Sequence, residues 1–561
     1  NCRIIIAQMT PLSHRHHRFE SGTRDWHAEI QEYIRNIATI ADVELIDFYE
    51  PLHKMPHLIP DAIHPNKEGS KIMAEVVYSA ITGDYGGLQM PDVYGDNMVL
   101  PCNREFTIHG TANRNDIVKV TIDNKTYSCE TDYNGNWQVN ISPLSTSSTH
   151  SLSITCNKEK IKYKNILAGE IWLCSGQSNM EYMLKQCATA NEDIPVADNS
   201  QIRFLDMKAL WRTDDVKWTT QALDSINDLH YLTKPQWTTC NSETAANFSA
   251  IGYHFGKMLQ DSLNIPIGLI CNAVGGSPIE SWIDRNTLED DFPAVLRTWK
   301  DNDFIQLWVR ERGALNTTNS TNPLQRHPYH PCYMFEESII PLTAIDIDGV
   351  IWYQGESNAH NIETHEKLFP LFVKSWRNNW DNDELPIIFV QLSSTERPSW
   401  PSFRDSQREL AEQMENVEMV VSSDKGDRYD VHPKEKREIG QRLARVALNK
   451  TYSFPNITPS GPYPTNAFTD DKSVIVEFDF ANRLKTSDNN PPSTFEVAEY
   501  DGLFYPADAT IVDDKIILTC PQVNNPRFVR YGGQPYTNAN LVNGDNLPTS
   551  TFKIAIERKD L

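Results

Sequence analysis

The sequence has no apolar run that approaches the roughly 18 to 20 residues needed to span a bilayer. Its longest apolar stretches, such as Ile171 to Cys174, are only of strand length, so membrane insertion is not expected. Positive charge is also scarce: 52 Lys and Arg stand against 75 Asp and Glu, a formal net charge of −23. An acidic surface repels nucleic acid and anionic membranes, which removes both as expected partners. The ten cysteines, spread from Cys2 to Cys520, form no CxxC pair and no metal-ligand spacing. A structural zinc site is therefore not expected, disulfides stay undecided, and no cofactor is called for. A secretory leader is not expected at this start either. The chain opens Asn1-Cys2-Arg3-Ile4-Ile5-Ile6, which reads as a buried strand, so it is expected to begin inside a domain.

What is present is a globular chain of 561 residues, long enough for about three or four domains. Residues 1–87 alternate strand and helix signals. Ile4 to Ile6 reads as a strand, and Trp26, Ile30, Ile34, Ile37 and Ala41 repeat at helical spacing. A second strand follows at Val43 to Phe48, then a loop and an amphipathic helix carrying Ile72, Val76, Val77, Ala80 and Ile81. That order is the back half of an α/β sandwich. Residues 88–166 change period: Val118, Val120 and Ile122 alternate with polar residues, and Asn134-Gly135 marks a hairpin before Trp137. A small β-sandwich is expected there. Residues 167–450 return to alternating strands and helices, a doubly wound α/β domain with a mostly parallel sheet. Residues 451–561 are again β-rich, with strands at Val474 to Phe478 and Lys515 to Leu518.

Polar motifs end four elements of the 167–450 domain. In Ile171-Trp172-Leu173-Cys174-Ser175-Gly176-Gln177-Ser178-Asn179-Met180-Glu181 a buried strand runs into Gly-Gln-Ser and a turn. Past the C-terminal edge of an open parallel sheet, a serine presents Oγ to the crevice and its own N–H to an oxyanion. The competing reading is a Ser/Asn-rich helix cap. Asp430-Val431-His432-Pro433 precedes a helix with Ile439, Leu443 and Val446 on its apolar face. A histidine there can serve as base to the serine, against the alternative of a capping Asp beside an incidental His. Gly349-Val350-Ile351-Trp352-Tyr353-Gln354-Gly355-Glu356-Ser357-Asn358 delivers polar groups to the same edge. In Asn272-Ala273-Val274-Gly275-Gly276-Ser277 the glycines let backbone N–H groups approach a substrate oxygen. Each motif alone has a bland reading as turn chemistry; four at one sheet edge are harder to dismiss.

The set SGQSNM, AVGGSPIESW, WYQGESN and DVHP resembles the SGNH-hydrolase superfamily, specifically the sialate O-acetylesterase-like carbohydrate esterases. Flanking segments are similar to that family as well, including Asp96 to Leu100, Asp132 to Trp137, the Arg-x-x-Gln helix at Arg404 and Gln407, and Ala539 to Pro548; the likeness covers roughly residues 88–561. The resemblance implies a three-layer α/β/α sandwich with a mostly parallel sheet, flanked by β-sandwich domains. It implies a serine esterase that removes O-acetyl groups from sugars, foremost O-acetylated sialic acid, through an acetyl-Ser178 intermediate with His432 as base. The oxyanion hole would combine the N–H of Ser178, that of Gly275 or Gly276, and a side-chain amide from Gln354 or, in reserve, Asn358. The orienting acid stays open: the superfamily spaces Asp and His as D-x-x-H, but Tyr429 occupies that position, and Asp430 and Glu356 compete. Arg404 is a candidate for a sugar carboxylate, with a structural salt bridge as the competing reading, and Gln407 accompanies it. The family's substrates are extracellular glycans, which implies a periplasmic or secreted protein.

One motif echoes at the N-terminus. Asp61-Ala62-Ile63-His64-Pro65-Asn66 and its helix resemble the D-x-x-H end of another SGNH domain. Ser13 and Ser21 lack a Gly-x-Ser context, so His64 has no nucleophile and this half-domain is expected to be catalytically silent. Two other function classes remain: an acetylxylan or other glycan acetylesterase, and a non-catalytic carbohydrate-binding or scaffold protein on an esterase fold. A metal-dependent hydrolase has no paired-His ligand motif behind it. Oligomeric state is not legible.

Overall fold

The computed structural model describes residues 3–41 and 43–557. Asn1 and Cys2, part of the expected opening strand, lie outside them. The N-terminal stretch forms β1 (Ile5–Ala7), α1 (Thr23–Ala41), β2 (Glu44–Ile46) and α2 (Lys67–Thr82), with β1 and β2 parallel. The helical spacing along α1 is correct, yet the face it implies is not covered. Trp26 is 59% and Ile37 38% exposed, while the buried positions are His27, Gln31 and Ala38. Two strands give the helix too little sheet to lie on.

The long strand β3 (Glu159–Gly176) joins two parts of the molecule. Its first half pairs antiparallel with His150–Cys156, and its last residues enter the main sheet. The expected boundary at 166 and 167 thus falls inside one strand. Before it, Phe106–Thr111 pairs with Asn136–Ile141, and Ile117–Ile122 with Lys125–Glu130, with alternating buried and exposed positions. That period-two pattern packs one face of each strand inward.

The main sheet continues through α3 (Ser178–Glu181), β4 (Asn199–Met207), β5 (Trp237–Cys240), α4 (Ala250–Leu263), β6 (Ile267–Ala273), α5 (Leu307–Asn316), β7 (Gly349–Tyr353), α6 (Ile362–Asn379), β8 (Ile387–Val390), α7 (Trp400–Gln413), β9 (Val417–Val420) and α8 (Arg437–Val446). Strand order is β5-β4-β6-β3-β7-β8-β9, parallel except for β5. Every residue of β6 and β7 is buried, as expected where helices cover both faces. Alternate residues feed two cores. Ile171, Leu173, Ile270 and Trp352 pack with Phe372 and Trp376 of α6. Trp172, Cys174, Leu269 and Ile351 pack on the other side with Phe255 of α4 and Leu443 of α8. The result is a three-layer α/β/α sandwich. From β3 the chain winds to β4 and β6 on one side, then to β7, β8 and β9 on the other. The point of reversal lies at the C-terminal end of β3, where open α/β sheets place their crevice.

Two four-stranded sheets follow. Arg404 of α7 ties one of them, which contains Phe528–Tyr531 and Phe552–Ala555, to the sandwich: its wholly buried guanidinium donates to the carbonyls of Gly532 (3.0 Å) and Gln534 (2.8 Å) and to Thr551 Oγ1 (2.9 Å). The described cysteines are free thiols, and no described helix is long and apolar enough to cross a membrane.

Candidate active site

Strand β3 ends at Gly176, which has φ +135°; a Cβ there would meet the Tyr353 carbonyl oxygen at 2.2 Å. Only glycine tolerates both the dihedral and the approach. The chain can therefore turn tightly beside β7 and start α3 at Ser178. The end of β6 places Gly275 and Gly276 alongside. Gly276 has φ +78°, and a Cβ on it would lie 2.4 Å from the Tyr329 hydroxyl. Ser178, Gly275, Gly276, Glu181, Glu356 and His432 all line one cavity of about 1100 Å³.

His432 comes from the loop between β9 and α8. Its Nε2 lies 2.8 Å from Ser178 Oγ. Burial is the main influence on the imidazole and lowers its pKa from 6.5; the Asp430 charge works in the opposite direction. Asp430 Oδ1 lies 3.3 Å from His432 Nδ1 and also accepts the His432 N–H at 2.9 Å. The other acid, Glu356, does not touch His432. Its Oε1 accepts from Asn179 Nδ2 at 2.5 Å, and the same Nδ2 donates to the Val431 carbonyl at 2.9 Å. Glu356 thus reaches the histidine loop through Asn179. Burial pushes the Glu356 carboxyl up to about 6.

Three expected binders do not reach the cavity, for a common physical reason: their side-chain hydrogen bonds run to neighbouring loops. Gln354 Nε2 donates to Asn358 Oδ1 (2.7 Å) and Ser277 O (3.3 Å). Asn358 Oδ1 also accepts from the Ile279 N–H, and its Nδ2 donates to Glu280 Oε2 (2.9 Å). These amides hold the loops after β6 and β7 together instead of facing an acyl oxygen. Gln407 is likewise buried, accepting the Leu392 N–H at 2.9 Å. Arg404, the fourth departure, is the tie to the C-terminal sheet described above. Neither the carboxylate reading nor the salt-bridge reading fits it, because its partners are carbonyls and a hydroxyl.

Three residues of this cluster were not singled out by the sequence. Asn179, inside the quoted SGQSNM, bridges Glu356, Val431 and Lys436. Lys436 is fully buried, donates from Nζ to Asn179 Oδ1 at 2.5 Å, and is brought down to about 7 chiefly by desolvation. Its one signal is position: it lies four residues after His432, directly before α8. Glu181, at the end of α3, accepts the Gly275 N–H at 2.9 Å through Oε2, and burial pushes it up to about 7.

At the N-terminus, His64 Nδ1 lies 2.8 Å from Asp61 Oδ2, and Asp61 Oδ1 accepts the His64 N–H at 2.7 Å. These bonds hold Asp61 well below the usual carboxylate range. Among the described residues no serine meets His64, whose side chain is 78% exposed. Ser13 is buried and accepts the Arg15 N–H.

A mostly parallel three-layer sandwich, with its crevice at the C-terminal end of β3, is an architecture that SGNH-type hydrolases share with other doubly wound folds, and similarity to known proteins places this chain with the former. Residues 168–303 and 325–449 match the profile of the family described as carbohydrate esterase, sialic acid-specific acetylesterase. The chain is 28% identical over 360 residues to sialate O-acetylesterase of Homo sapiens, covering 58% of this chain and 63% of that protein. It is 26% identical over 378 residues to the Rattus norvegicus sialate O-acetylesterase, covering 60% and 66%. The chain thus spans under two thirds of the length of these curated relatives. A carbohydrate acetylesterase from Xanthomonas citri superposes with TM-score 0.70 at 26% identity, over 83% of this chain and 99% of that one. Within the SGNH class, the chain is similar to the sialate O-acetylesterase-like carbohydrate esterases.

Proposed function

We propose that this chain is a serine esterase that hydrolyses O-acetyl esters on carbohydrates, O-acetylated sialic acid foremost. The observation that carries the reading is the 2.8 Å contact of His432 Nε2 with Ser178 Oγ at the mouth of the β3 crevice. Ser178 Oγ attacks the acetyl carbonyl while His432 takes its proton. The tetrahedral intermediate collapses as His432 returns the proton to the departing sugar hydroxyl, and water then hydrolyses the acetyl-serine by the same relay. Asp430 holds the imidazole with Nε2 towards the serine. Glu356 acts one residue removed, fixing the His432 loop through Asn179.

The backbone N–H groups of Ser178 and Gly275 or Gly276 receive the oxyanion. Since Gly275 N–H already donates to Glu181, an acyl oxygen entering there replaces that carboxyl. In this reading residues 167–450 are the catalytic unit, and residues 88–166 and 451–561 flank it. Residues 1–87 are the back half of a second unit. The site of action is periplasmic or secreted, which the glycan substrate class supports.

The test is acetate release from a panel of O-acetylated sugars. Wild type is expected to prefer acetylated sialic acid over acetylated xylosides, and Ser178→Ala to lose about 10³-fold or more in kcat. Equal rates for the two proteins would overturn the esterase reading and leave a binding or scaffold role.

A further inference from the structure

The cavity around Ser178 is lined by arginines and carboxylates that are not all paired with one another. Four arginines line it, in a chain whose formal net charge is −23. Two are matched: Arg212 pairs with Asp214, and Arg428 pairs with Glu396. Arg312 and Arg397 also line the cavity, and among the described residues neither forms an ion pair with a carboxylate. The acids on the floor, Glu181 and Glu356, are engaged by Gly275 N–H and Asn179. Burial raises both, and neither pairs with Arg312 or Arg397.

Arg312 is the better placed of the two. It sits on α5, half-buried, with its guanidinium 5.0 Å from the centre of the Trp308 ring. Its charge favours ionisation of the nearby Tyr329 hydroxyl, which lies 2.8 Å from the Gly275 carbonyl and 2.7 Å from Thr213 Oγ1. A planar guanidinium stacked on an indole is held in one plane, and its free N–H fork matches a carboxylate. Tyr329 is itself tied to the loop that borders Ser178. Arg397 lies exposed on the rim, between β8 and α7.

We propose that Arg312 is the anchor for a carboxylate on the acetylated sugar, with Arg397 adding charge at the rim, so that the site selects acidic over neutral acetylated sugars. This rests on the esterase reading above and assigns its specificity. The position that Arg404 does not fill falls to Arg312, because an anion anchor needs a guanidinium whose N–H groups face the cavity and are not spent on carbonyls.

The experiment compares kcat/KM for acetate release from O-acetylated sialic acid with that from its methyl ester, whose carboxyl carries no charge. The readout is the acid-to-ester ratio within one protein, which does not depend on how much of a preparation is folded. Wild type is expected to favour the acid by roughly 10-fold or more. Arg312→Ala should bring the ratio close to one, Arg312→Lys should restore part of it, and Arg397→Ala should lower it less. The wild-type ratio should also fall as salt rises, since part of the attraction is screened. A ratio that Arg312→Ala leaves in place, or a wild type that favours the methyl ester, overturns the assignment. If release from both compounds persists in Ser178→Ala, the esterase reading itself has failed. If release depends on Ser178 while the ratio ignores Arg312, only the carboxylate anchor has failed.

Discussion

The molecule contains two Asp–His loops ahead of an amphipathic helix, and they differ in an instructive way. At Asp61 and His64 the orienting contact is the tighter one, 2.8 Å against 3.3 Å at Asp430 and His432. His64 also has the regular D-x-x-H spacing that His432 lacks. Yet His64 stands in solvent with no serine among the described residues, whereas His432 is partly buried against Ser178. A well-made Asp–His pair is thus a local product of one loop: the Asp caps its own backbone and meets the ring. A hydrolytic centre needs the long-range part, which only the completed sheet provides by bringing the ends of β3, β6 and β7 to the loop after β9.

The largest expected difference between the two loops is in rate. His432→Ala should lower kcat for acetate release by about 10³-fold or more, since proton transfer to and from Ser178 is lost. His64→Ala should leave the rate where it is. A substantial loss in His64→Ala would break the comparison and place a second active centre at the N-terminus.

A smaller effect separates the two acids proposed to support His432. Asp430→Asn should cost roughly 10- to 100-fold, less than a fully buried triad aspartate, because Asp430 is half exposed and its charge is screened. Its pH signature is sharper. The base must be neutral, so kcat/KM falls as pH drops through the His432 pKa, which burial places below 6.5. The Asp430 charge raises that pKa, so Asp430→Asn should move the acid limb to still lower pH. Glu356→Gln should move it less, because Glu356 acts on the loop through Asn179. An acid limb that shifts more in Glu356→Gln would hand the orienting role to Glu356.

The fold was legible because two periods alternate cleanly along the chain. Runs such as Ile171 to Cys174 and Gly349 to Tyr353 are continuous apolar strands, and Ile439, Leu443 and Val446 mark a helix face. The meeting of Ser178 with His432 was legible from strand-end placement together with the family resemblance. The direction of the amides was not. Gln354, Asn358, Gln407 and Arg404 sit in motifs that end at the right edge, but whether a side chain faces the cavity or the neighbouring loop depends on partners far away in sequence. Ile279, Glu280 and the carbonyls of Gly532 and Gln534 decide it, and no local pattern announces them. Lys436 and Arg312 were missed for the same reason: a lysine or arginine on a polar helix reads as solvated until the fold buries it or leaves it without a carboxylate. The uncovered face of α1 teaches the converse, since Trp26 and Ile37 read as core and remain exposed.

One reactive residue, Ser178, carries the proposed chemistry, and covalent labelling addresses it directly. Intact-mass measurement after treatment with an organic fluorophosphonate, which phosphonylates activated serines, should give a single adduct. Peptide mapping should place it on Ser178, and Ser178→Ala should give none. An unlabelled wild type, or an adduct that persists in Ser178→Ala, would contradict the assignment of the catalytic serine.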